Sequence, residues 1–242
     1  IVKLLDINNL NNLFRPYELL SLMSLIKLNP YFKSVSNQKF SKISHVKLEE
    51  IITLLSEDQI LIKLITICPI PDLEIEELLK KVRAALIFNI SKIHLTREIK
   101  EFLTALALQC YTNEYIYEET KEELNSINAL EKKIKKELLN GYQPKFLELA
   151  IIASYRPIFE LDWSSLVLIN ADNEKLLSRL LLEPKKENEL ASKIRNFKTI
   201  SNKTSLKVKN QYEENPYPRW VNTSKASFTL TIPEFMQRMD LK

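Results

Sequence analysis

The residue types that most often carry catalysis are few here and badly spaced for it. His45 and His94 are the only histidines, far apart and without neighbours that resemble metal ligands. Both are expected at helix ends or on the surface, and no zinc site assembles from them. The acidic run Glu118, Glu119, Glu122, Glu123 and the basic run Lys132, Lys133, Lys135, Lys136 fall at helical spacing. They are expected to form the solvated faces of one helix, tied by Glu–Lys pairs. A catalytic carboxylate pair would need an apolar surround to raise one pKa, and the pattern offers none. Cys68 and Cys110 each sit in an apolar run without a C-x-x-C spacing. That usage suits reduced, buried thiols and a cytoplasmic setting.

Two further stretches have a chemical character. Residues 185–209 hold eight Lys or Arg and two Glu, enough to attract phosphate. Only Phe197 could stack a base, so a solvated basic linker is the expectation and nucleic acid is not an expected partner. The stretch from Gln211 to Trp220 reads QYEENPYPRW. Its prolines, Pro216 and Pro218, hold Asn215 and Tyr217 extended and carry two tyrosines and a tryptophan on a stiff segment. Such flat groups serve equally as a clamp between domains or as a ligand wall.

The elements that must position these residues are helices. The chain has one glycine, Gly141, in 242 residues, where ordinary usage would give about 17. A chain so poor in glycine holds no G-x-G-x-x-G turn and no phosphate-cradling loop, and it suits few hairpins. Apolar residues make up 45% and charged residues 27%, with net charge +4. These values suit a packed core with a soluble surface. The longest apolar run, Ile60 to Ile70, contains Lys63 and Pro69 and is too short to cross a bilayer. The chain begins at Ile1 and is read as a fragment of a longer protein.

Apolar spacing and caps predict helices over 15–28, 46–55, a segment ending at Cys68, 73–90, 97–117, 118–139, 144–154, 163–169, 173–182, 186–196 and 204–214. Residues 31–44 read as polar and ambiguous. The expected caps are Ser56 with Gln59 as a capping box, then Asp72 and Thr96, with Gly141 closing the 118–139 helix. Pro157 and Pro184 are expected to break the series. The fold class is therefore all-α, an irregular multi-helix bundle or helical array with an extended C-terminal tail. Composition shifts near 198–203, which divides the chain into a helical domain, 1–200, and a lead-in, 201–242.

The string QYEENPYPRW, with Ser205-Leu206-Lys207-Val208-Lys209-Asn210 before it, resembles a particular kind of segment. It is the segment just before the catalytic domain in bacterial proteins that join tetratricopeptide repeats to a class I S-adenosylmethionine-dependent methyltransferase. Three upstream stretches resemble that family's helical middle region. They are Pro69 to Glu76, Ala105 to Tyr115, and Leu180 to Pro184. The resemblance implies N-terminal repeats and a C-terminal catalytic domain in cis, with S-adenosylmethionine bound beyond Lys242. It also implies that Tyr212 to Trp220 lies over the pocket, with Tyr212, Tyr217 and Trp220 as aromatic walls and Asn215 and Arg219 as polar contacts. This chain alone is then expected to bind no cofactor, to be inactive, and to position a protein or peptide partner. The rival expectation is a helical adaptor with no enzymatic role.

Overall fold

The computed structural model describes residues 19–40, 43–194 and 202–214, and among these every regular element is a helix. In chain order they are α1 (Leu20–Leu28), α2 (Pro30–Ser36), α3 (His45–Glu57), α4 (Gln59–Ile67), α5 (Leu73–Phe88), α6 (Arg97–Thr112), α7 (Lys121–Leu139), α8 (Phe146–Ala153), α9 (Glu174–Leu177), α10 (Glu183–Lys193) and α11 (Lys203–Glu214). Short 3₁₀ turns lie at Ile90–Lys92, Ile158–Glu160 and Ser164–Leu166, and a π turn covers Ser178–Leu182. The all-α expectation holds.

Helix α6 is the axis of the array. It packs on α3 and α4 on one side, and on α8, α9 and the π turn on the other. Its sequence explains this, because Ile99, Phe102, Leu103 and the whole run Ala105 to Thr112 are buried. The second half of the helix, buried on every side, belongs inside, while Arg97, Lys100 and Glu101 keep the first half amphipathic. The α5–α7 pair and α8 close the layer behind it, and α1 and α2 cover α4 and α5.

The caps set most boundaries. Asp72 accepts from the Glu74 and Ile75 amides, and Thr96 accepts from Ile99, as their side chains predict. Pro30 ends α1 as expected, but it also starts α2. Asn29 caps that helix, and Phe32 and Val35 are buried along the stretch read as ambiguous. The predicted cap at Ser56 is two residues early. Ser56 is buried inside α3 and donates to the Thr53 carbonyl, whereas the Asp58 carboxylate takes the Ile60 and Leu61 amides.

Helix α6 stops at Thr112, five residues short of its expected end. There the Tyr115 amide donates to the Cys110 carbonyl and the Glu114 amide to the Tyr111 carbonyl. This closing motif needs left-handed backbone, which Glu114 and Tyr115 adopt at φ 59° and 56°. The same motif ends α7. Gly141 sits at φ 82° and donates to Leu138, and Tyr142 donates to Glu137. The chain thus makes one such turn with its glycine and another without.

Two expectations about the later helices fail. The predicted helix 163–169 is only the 3₁₀ turn, because Asn170 and Asn173 tie residues 168–173 into side-chain turns. Pro184 does not break the chain of helices. It lies in the first turn of α10, where its missing amide costs little, directly after the widened π turn. The boundary expected at 198–203 falls largely on residues 195–201, outside the described residues, as does the tail from Asn215 onward.

Candidate functional site

The most chemically loaded place is a buried cluster on α5. Arg83 sits within that helix's apolar stripe of Leu79, Val82 and Leu86 and is 1% exposed. Its guanidinium donates to the Ser154 carbonyl (3.4 Å), the Tyr117 carbonyl (3.3 Å) and the Glu118 carbonyl (3.1 Å). It stacks 4.1 Å from the centre of the Tyr155 ring and 5.5 Å from that of Tyr117. Glu123 Oε1 lies 3.8 Å away and accepts the Tyr155 hydroxyl at 2.7 Å. Glu123 Oε2 accepts the Thr120 amide while Thr120 Oγ1 accepts the Glu123 amide, a reciprocal capping box that starts α7.

This corrects the expectation that the whole 118–123 acidic run is solvated. Glu123 is 3% exposed, and Glu119 holds Arg156 through two nitrogens. Thr120-x-x-Glu123 and an arginine, Arg83, inside an apolar stripe were the sequence signals for the first; nothing in the spacing marks Arg156 as the partner of Glu119.

The thiol and the two phenols of the cluster are held protonated. Burial pushes the Cys110 thiol up to about 12 although Arg83 beside it acts the other way. Burial, then the Glu123 carboxylate, raises the Tyr155 phenol, and burial raises that of Tyr117. A thiol so far above neutrality is no nucleophile. The arrangement ties α5, α7, the end of α8 and the 113–120 loop together.

Cys68 is likewise free, buried and pushed up to about 12 by desolvation. Gln109, with its amide nitrogen toward the Ile65 and Cys68 carbonyls and its oxygen toward the Ile70 amide, fastens the joint after α4 to α6.

Surface features are more accessible. A hollow of about 570 Å³ beside the end of α7 is lined by Lys133, Lys136 and Lys145 together with Glu137 and Glu148. Lys133 bridges both carboxylates, at 3.6 and 2.5 Å, which leaves little net field for a charged ligand.

The outer face of α3 differs. One depression of about 510 Å³ is lined by Val46, Glu49, Glu50, Thr53, Leu54 and Glu57. It continues through Leu54 and Glu57 into a second of about 360 Å³ that reaches Leu25 on α1 and Asp58. Four carboxylates border this double groove, and among the described residues no Lys or Arg lines it. Lys47, paired with Glu50 at 2.7 Å, is the adjoining cation. Val46, Leu54 and Leu25 are exposed along it. The helical spacing of Val46, Glu49, Glu50, Thr53, Leu54 and Glu57 places them on one face, opposite the buried Leu48, Ile51, Ile52 and Leu55. An acidic surface with apolar residues in its floor can hold a basic amphipathic segment.

Of the residues expected from sequence to wall a cofactor pocket, Tyr212 falls on the last turn of α11. Asn215, Tyr217, Arg219 and Trp220 lie outside the described residues. His45 and His94 are exposed, and no group of three or more His, Cys, Asp or Glu among the described residues is placed to hold a metal. No helix of the described residues is long and apolar enough to cross a membrane. No protein-family model, curated protein or solved structure matches the chain.

Proposed function

We propose that this chain is a non-catalytic helical region of a modular, cytoplasmic S-adenosylmethionine-dependent methyltransferase. It positions a protein partner for methyl transfer by a class I domain beyond Lys242. The carrying observation is the string Gln211 to Trp220, which resembles that family's lead-in and whose first four residues form the last turn of α11. Leu206 and Val208 on α11 are 43% and 46% exposed, as expected of a helix whose covering surface lies elsewhere. Holding a partner near the transferred methyl group would act through proximity. Tyr212, Tyr217 and Trp220 would then wall the pocket and Asn215 and Arg219 supply polar contacts. The buried free thiols suit a reducing compartment.

Two measurements test the proposal. The coding sequence past Lys242 should continue into a strand followed by a Gly-x-Gly-type turn. A stop codon immediately after Lys242 would refute the enzyme reading. Calorimetric titration of this chain with S-adenosylmethionine should give no measurable heat of binding, and micromolar affinity would mean the cofactor site has been misplaced.

A second reading, a helical adaptor without enzymology, is favoured by the acidic groove on α3. Tight capture of a partner by a chain that a stop codon ends at Lys242 would establish it.

A further inference from the structure

The α3 groove has a counterpart on the same chain. Helix α11 carries Lys203, Leu206, Lys207 and Asn210 at positions i, i+3, i+4 and i+7, so one face sets an apolar residue among two ammonium groups. Residues 203–211 include three lysines and no acidic residue. Apart from half-buried Lys209, their side chains are exposed. The α3 face mirrors this pattern in opposite charge, with Leu54 and Val46 among Glu49, Glu50 and Glu57. Among the described residues the side chains named on both faces are exposed, apart from partly buried Glu49.

We infer that α11 of one copy docks in the α3 groove of a second copy. The apolar residues supply burial, and the lysines face a groove whose carboxylates outnumber the one cation, Lys47, that pairs with them there among the described residues. Because the two surfaces differ, the contact is heterologous, and successive copies add head to tail unless the rotation closes a ring. A single helix laid in a shallow groove is a small interface, so the association belongs to the weak, transient class. Its dependence on exposed charge makes it salt-sensitive. The inference is independent of the methyltransferase proposal, since it uses only the charge and exposure of described residues.

Sedimentation velocity on the whole chain tests it, from about 5 µM to about 500 µM at about 50 mM and about 500 mM salt. The mean mass should rise at least about 1.5-fold with concentration at low salt and fall back to monomer at high salt. The face-reversed variant Glu50→Lys/Glu57→Lys and the helix-reversed variant Lys203→Glu/Lys207→Glu should each stay monomeric alone. Mixed in equal amounts they should associate again, because each then meets its opposite charge. All four positions are exposed, so far-ultraviolet circular dichroism should match the parent chain and exclude misfolding. The milder pair Glu57→Gln and Lys207→Gln should each weaken association several-fold. A chain monomeric throughout the range overturns the inference, including the case in which α11 folds back on its own α3. Association that survives either reversal, or that fails to return on mixing, overturns it too.

Discussion

Replacing Arg83 by methionine keeps most of the side chain's packing and removes its charge. In the parent chain the guanidinium supplies donors to three backbone carbonyls and stands 3.8 Å from a carboxylate that is itself buried. The substitution leaves Glu123 with the Tyr155 hydroxyl and the Thr120 amide but without a nearby cation. Removing one member of a buried pair typically costs about 3–5 kcal/mol. For a chain of this size that lowers the thermal midpoint by roughly 6–20 °C, and it is a large fraction of a total stability of about 5–15 kcal/mol. Urea denaturation followed by circular dichroism at 222 nm measures the loss. The double variant Arg83→Met/Glu123→Gln should cost less than the two single losses added, by about 1 kcal/mol or more. A loss under about 1 kcal/mol for Arg83→Met would refute the view that this residue ties the array. Strict additivity would refute the coupling to Glu123.

High pH should be unusually damaging. Cys68 and Cys110 are raised from 9.0 to about 12, and Tyr117, Tyr155 and Tyr31, a half-buried phenol on α2 that donates to the Asp58 carboxylate, are raised above 10.0. Raised folded pKa values mean that the stabilisation is complete below the unfolded values and is lost as pH climbs through the folded ones. Two thiols give up to about 2.7 kcal/mol lost per pH unit above pH 9, and all five groups up to about 7 above pH 10. Helical signal should therefore collapse near pH 11, and a native spectrum held at pH 12 would contradict the burial of these groups. At Gly141 an added methyl group meets nothing within 4 Å, so Gly141→Ala carries only the strain of φ 82°. It should cost about 1 kcal/mol in urea denaturation, and a much larger loss would reveal packing at that turn.

Boundaries fixed by short-range chemistry were readable in the sequence. Asp72, Thr96 and Gly141 each act on backbone groups within a few residues, so residue type and position suffice. At the α3–α4 junction Ser56 and Asp58 compete two positions apart. There the carboxylate, not the hydroxyl, takes the amides, and the capping-box pattern on Ser56 misled. The Arg83 cluster was hidden for a different reason. Its partners lie 34 to 71 residues away, and charge patterning alone assigns Glu123 to water. The end of α6 was misplaced because Glu114 and Tyr115 adopt a backbone that composition reserves for glycine. The aromatic segment that carried the family resemblance is legible only as sequence, since all but its first four residues lie outside the described part of the chain.

Arg83 grips main-chain oxygens at residues 117, 118 and 154 more closely than it does the Glu123 carboxylate. Every amino acid presents the same carbonyl, so mutational drift at Glu118, whose side chain is exposed, leaves that grip undisturbed. The burden of keeping the loop in place therefore falls on one codon, while the loop's own lettering stays free to vary wherever its backbone can follow the same path.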